Sequence, residues 1–257
     1  MVPLAALDES PVTVSTSWRH LQQTVTGLSF IAFSVVWVFA FAVHPDLLHP
    51  RLALGPEALI RRAHGNDLLQ LAHALVTINT ALLVVLTVHF ASALRGTRAA
   101  RLGGIGAGLA VVGAVLLAAD KGALCLTMSA LDTLPQSQFE QMMPGLVAIF
   151  SMRGLMVLVW GMALMPLGVM IQAAGLWRAK LLTARQAVLL MISLLFIAFP
   201  DGAEIINLTA ALGMSAVLVP YGARLIRRAE PVAWSAQSGT DQGPPLMPPG
   251  RSTTRLG

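Results

Sequence analysis

Apolar residues in this chain fall into six long runs joined by short polar connections, at about residues 28–43, 68–94, 102–131, 146–176, 187–199 and 203–225. At 1.5 Å per helical residue, each run is long enough, or nearly so, to cross the roughly 30 Å hydrocarbon layer of a bilayer. The pattern predicts an all-α polytopic membrane protein, a bundle of six transmembrane helices. The fifth run is the weakest: it is short and stops at Pro200-Asp201-Gly202, so a re-entrant half-helix is the alternative there. Residues 1–21 read as a tail, 22–228 as the transmembrane domain, and 229–257, rich in Pro, Gly, Ser and Thr, as a disordered tail. In the longest connection, Gly55-Pro56-Glu57 favours the start of a short surface helix.

The connections sort by charge. One set holds Arg19, then Arg95, Arg98 and Arg101, then Arg178, Lys180 and Arg185, then Arg224, Arg227 and Arg228. The other holds Asp46, Glu57, Asp67, Asp132, Glu140, Asp201 and Glu204, with Arg51, Arg61 and Arg62 as its cations. The positive-inside rule then places both termini in the cytoplasm of a cell that carries the protein in its membrane. An even number of crossings agrees. Residues before the first run are polar and include Asp8 and Glu9, unlike a signal peptide, so that run is expected to stay as a helix.

Composition supports the class. Of 257 residues, 56% are hydrophobic and 11% charged, against roughly 25% charged in soluble domains; mean hydropathy is +0.72. The isoelectric point near 10.6 would suggest nucleic acid if the basic residues formed one patch. They are scattered between apolar runs instead, so the expected partner is the lipid bilayer and not nucleic acid. Cys125 is the single cysteine, which excludes an intrachain disulfide. No phosphate-binding loop or dinucleotide fingerprint interrupts the runs.

Charges inside the runs are the candidate chemistry, because charge in a membrane is costly and marks function by default. Measured from the arginine-bearing connections, Asp120 lies about 19 residues from Arg101, roughly 28 Å of helix. The same ruler gives roughly 37 Å for Arg153, 33 Å for His73, 30 Å for Glu204 and 24 Å for Asp201. All stand near the outer edge of the hydrocarbon, where charged side chains reach water at modest cost. Asn79 and Asn207 lie about a turn or more deeper. The expectation is one outward-facing polar vestibule in which Asp120, Lys121, Arg153, Asp201, Glu204, Asn79 and Asn207 form a ligand site or an ion-pair network. Asp120 is expected to pair with Arg153, leaving Lys121 for Asp201, Glu204 or lipid headgroups. Asp201-Gly-Ala-Glu204 also has capping-box spacing, a purely structural reading.

Other features have weaker chemistry. His44, His49, His64 and His73 cluster on the outer side, and His64, Asp67 and His73 are the candidate metal set; none of the histidines has i, i+4 spacing. Asn66 and Asp67 equally read as the cap of the second long helix. His73 and His89 share one helix, which disfavours a bis-histidine haem. The methionines between Met142 and Met170 read as packing residues before copper ligands. Gly104 and Gly108 form a GxxxG stripe expected to pack helices closely, and Pro166 with Gly168 should kink the fourth run. No cofactor is expected.

Three functions follow from these residues. The first is a non-enzymatic membrane protein that binds or passes a small solute or ion from outside. The second is an accessory subunit of a larger membrane complex, or a homo-oligomer. The third is a membrane oxidoreductase or hydrolase using the outer histidines and carboxylates.

Overall fold

The computed structural model describes residues 16–45, 47–48, 55–150, 161–197 and 204–229. Eight helices and no strand occur among them: α1 Thr16–Ala42, α2 Pro56–Ala63, α3 Asp67–Ala93, α4 Ala100–Leu131, α5 Gln136–Phe150, α6 Leu164–Arg178, α7 Ala184–Ile197 and α8 Glu204–Ala229. Four of these, α1, α3, α4 and α8, are long and apolar enough to cross a membrane, while α7 is apolar but shorter. Both expected tails lie mostly outside the described residues, and α1 already begins at Thr16, before the expected start of the helical domain.

Local chemistry sets the helix ends. Asn66 caps α3 by accepting from the Leu69 amide at 3.0 Å, as its position before the second run predicted. Thr183 and Gln186 form a capping box at the head of α7: Thr183 Oγ1 accepts from the Gln186 amide, and Gln186 Oε1 accepts from the Thr183 amide. The α6–α7 turn closes by bonds from Leu181 N to Leu176 O and from Lys180 N to Trp177 O. That is a Schellman stop with Lys180, at φ 61°, in the left-handed position usually taken by glycine.

The fourth run departs from expectation. Instead of one helix kinked at Pro166, helix is interrupted at Ala163 and resumes as α6 at Leu164. A proline ring collides with the carbonyl four residues earlier, here that of Met162, so the break falls just ahead of Pro166. Residues 151–160 lie outside the described set, as do 198–203 after α7.

Packed pairs close into a ring: α1 against α3 and α8, α3 against α4, α4 against α6, α6 against α7, and α7 against α8. Neighbours run antiparallel, which gathers the arginine-bearing connections at one end. At the other end α2 packs on α5 to form a cap. Ile60, Met128, Leu131, Phe139, Met143 and Leu146 make the cap a small core of its own. The middle of the ring is apolar and filled. Phe33, Leu86, Phe90, Val169, Leu190 and Met214 are among the residues around a void of about 10 Å³, at the lower limit of space for one water.

Two crossings bring backbones together. On α4, a Cβ at Gly106 would stand 2.6 Å from Gly168 O, and one at Gly113 would stand 2.2 Å from Met165 N. In return, a Cβ at Gly168 would meet Ala110 N and Gly106 O at 2.4 Å. At the α1–α8 crossing Gly27 and Gly222 face each other's carbonyls in the same way. The GxxxG expectation fails within the chain: Gly104 and Gly108 are exposed, and a Cβ on either meets no described atom within 4 Å. The working stripe, Gly103, Gly106, Ala110 and Gly113, has the 3–4–3 spacing of one helix face.

Candidate functional site

At the head of α8, Glu204 is buried to 1% exposure and Asn207, one turn further in, to 5%. Asn207 Nδ2 donates to Glu204 Oε2 at 2.9 Å. His44, just beyond the end of α1, brings Nε2 to 3.8 Å from Glu204 Oε1. The backbone ties the same two segments together, with Ile205 N donating to Leu47 O at 2.9 Å. His44 and Glu204 each make further contacts. Asn207 Oδ1, by contrast, is buried and accepts no hydrogen bond. The N-terminus of a helix stabilises an anion, which suits a carboxylate at the first position of α8.

Asp120 and Lys121 are joined to each other: Lys121 Nζ lies 3.1 Å from Asp120 Oδ2, with side chains 27% and 12% exposed respectively. Adjacent residues point about 100° apart on a helix, yet the long lysine stem folds back across that angle. Arg153, the expected partner of Asp120, lies outside the described residues, as does Asp201.

Expected convergence at one level does not become one vestibule among the described residues. Depth along the helices matches, but α4 sits between α3 and α6 whereas α8 sits between α7 and α1. No described contact joins the Asp120–Lys121 pair to the Glu204 group. Asn79 belongs to neither; 2% exposed, it donates from Nδ2 to Phe33 O at 3.2 Å and so pins α3 to α1.

The metal candidates also separate. Among the described residues no group of three or more His, Cys, Asp or Glu is placed to hold a metal ion. His64 turns to Asp132, with Nδ1 2.8 Å from Oδ1, and stacks on the Phe139 ring at 3.9 Å between centroids. Asp132 Oδ1 also accepts from the Gly65 amide at 2.8 Å. Asp67 is exposed at the first position of α3, and His73 lies half-buried in the next turns. Asp132 reads in the sequence only as one more outer charge; nothing in its spacing signals His64.

Beside this, Arg61 joins α2 to α5 by bonding Glu140 and Glu57. The guanidinium of Arg61 holds the Glu140 carboxyl below the usual carboxylate range, and both carboxylates raise Arg61 in turn. A carboxyl depressed on folding stabilises the cap fully above its unfolded pKa and ceases to do so as pH falls through its folded value. Acidification below the ordinary carboxyl range should therefore lower the amide-exchange protection factors of α2, taken relative to the intrinsic rate at each pH, and Arg61→Ala should lower them at neutral pH. The pair is solvent-exposed, so the effect is small and weakens with salt.

Two interior polar contacts remain. Gln172, fully buried on α6, donates from Nε2 to Thr87 O at 2.9 Å and to Gly103 O at 3.1 Å, clamping α3, α4 and α6 at one point. His89 meets the Tyr221 hydroxyl at 3.0 Å, with both rings packed against Phe30 and Phe90. Each of these contacts is a helix-to-helix fastening. The Glu204 group is the described site where a fully buried carboxylate and an unused buried acceptor occur together. No protein-family model, curated protein or solved structure matches the chain significantly.

Proposed function

We propose that the chain is a non-enzymatic, multi-pass protein of a cell membrane that binds a small ion or polar solute at the end of the bundle opposite the arginine-rich connections. Six crossings are counted by adding α6 and α7 to the four long helices; both termini then lie on the cytoplasmic side, with the arginine-rich connections. The observation that carries the reading is Glu204. A carboxylate buried in an apolar bundle costs several kcal/mol unless it is compensated, and such residues in membrane helices mark sites by default. Asn207, His44 and the further contacts of Glu204 supply compensation, and the buried, unused Asn207 Oδ1 leaves a polar atom for an occupant. The filled centre of the ring favours binding over passage, because no described polar path continues from Glu204 toward the arginine end.

The test is thermal unfolding of the purified protein across pH and against a series of inorganic cations, anions and small polar solutes. An occupant present at 100 times its Kd adds about 2.7 kcal/mol of stability. That gain should appear in the wild type and shrink in Asn207→Ala. If no condition separates the two proteins, the binding reading fails.

A second reading is favoured by the outer surface. Exposed Gly104 and Gly108 leave a smooth strip on α4 of the kind along which membrane helices approach closely, as an accessory subunit or homo-oligomer would need. Isolation in mild detergent as a stable monomer would count against it.

A further inference from the structure

We infer that the α3–α4 and α6–α7 turns together bind the phosphate of an anionic phospholipid. They lie at the end of the ring opposite Glu204 and are independent of that group. Arg95, Arg98 and Arg101 belong to the first turn and Arg178, Lys180 and Arg185 to the second, and all six are exposed. Neither 94–101 nor 178–185 contains an acidic residue. Among the described residues none of the six side chains makes a hydrogen bond or ion pair. Packing of α6 brings the two turns together: a Cβ at Gly175 would stand 2.9 Å from Leu94 Cδ1 and 3.7 Å from Ala99 Cβ. Leu94, Ala99, Leu176 and Leu182 belong to one buried core that joins the turns.

Both turns hold their shape. Thr97 Oγ1 donates to Leu94 O at 2.8 Å and accepts from the Ala99 amide at 3.1 Å, and Lys180 closes the Schellman stop. Arg101 and Arg185 each occupy the second position of a helix whose first turn carries no acid. A helix N-terminus is itself positive and favours anions, so these cations sit where like charge is least welcome and an anion would relieve both. Orientation in a membrane asks only for positive charge at this end. Five of the six cations are arginines, whose planar fork matches a phosphate with two parallel bonds. Trp177 and Leu181, exposed beside them, decide between a lipid and a free anion. Both suit the boundary between headgroup and acyl chain, where tryptophan is enriched, and neither would serve a soluble phosphate.

The test is thermal unfolding of the full chain in a neutral detergent at low ionic strength, titrated with phosphatidylglycerol, phosphatidylcholine or inorganic phosphate. Detergent removes any effect of membrane orientation. Phosphatidylglycerol alone should raise the midpoint. Arg98→Gln/Arg178→Gln should raise its half-saturating concentration roughly 30-fold, at the strength with which basic residues ordinarily attract anionic lipid. Arg227→Gln/Arg228→Gln, which removes equal charge from the end of α8, should leave it near the wild-type value. Should the first variant fail to fold, Arg98→Lys/Arg178→Lys keeps the charge, loses the fork and should still weaken the effect; an unchanged half-saturation there overturns the inference. Equal stabilisation by phosphatidylcholine, or equal loss in the two glutamine variants, also overturns it. Stabilisation by inorganic phosphate to the same extent would show a site for a free anion and refute the lipid.

Discussion

Gly168→Leu should collapse the α4–α6 crossing, while Gly104→Leu on the opposite face of α4 should leave the protein almost unchanged. The difference lies in what a side chain would meet. At Gly168 even the first carbon stands 2.4 Å from the backbone of α4, and backbone cannot move aside as a flexible side chain can. The helices would have to separate, uncoupling Gly106, Gly113 and Met165 as well. Overpacking typically costs about 1–3 kcal/mol, and this position belongs at or above the upper end. At Gly104 the same leucine projects into open space. Thermal unfolding and size-exclusion profiles in detergent read the contrast: a large fall in midpoint with aggregation for Gly168→Leu, and wild-type behaviour for Gly104→Leu. Equal loss in both would mean that α4 is buried on the other face.

Gln172→Ala should produce the next largest loss. It removes two bonds that join three helices at one buried point. Hydrogen bonds between membrane helices contribute roughly 0.6–2 kcal/mol each, and the empty volume adds a cavity cost. Gln172→Leu refills the volume without restoring the donors, so its midpoint should fall between those of Gln172→Ala and wild type. If Gln172→Leu matches wild type, the clamp contributes only by packing, and the bonds to Thr87 and Gly103 carry no net stability.

What the sequence disclosed and what it hid divide along a physical line. Runs of apolar residues and the sorting of charge report position along the bundle axis, and they located α3, α4 and α8 within a few residues, and the end but not the start of α1, which begins at Thr16 well ahead of its apolar run. The Asn66 cap and the helix at Pro56 were legible because capping chemistry is local. Position around the axis was not legible. The residues at the level of Asp120 read as one vestibule; among the described residues ring order puts α4 and α8 apart, with Arg153 and Asp201 outside that set, and that order is set by packing between distant segments. The same blindness misplaced the glycine stripe. Because α4 carries glycine at 103, 104, 106 and 108, a GxxxG match cannot say which face turns inward. The pairing of His64 with Asp132 and of Glu204 with His44 likewise depends on elements far apart in sequence. Pro166 disclosed a disruption, though an interruption at Ala163 was read as a bend.

Every functional statement rests on the polarity of the bundle, with the arginine connections on one side of the membrane and the α2–α5 cap with Glu204 on the other. Single cysteines placed in a Cys125→Ser background measure this directly. Arg98 and Arg178 represent the first side, Gly55 and Gln138 the second, and all four positions are exposed. In sealed, right-side-out membranes, an impermeant thiol reagent should label Gly55→Cys and Gln138→Cys at once, and Arg98→Cys and Arg178→Cys only after permeabilisation. Labelling of Arg178→Cys from outside while Arg98→Cys stays protected would contradict the account, because the chain between α4 and α7 would then not cross, and the last helices would face the wrong way.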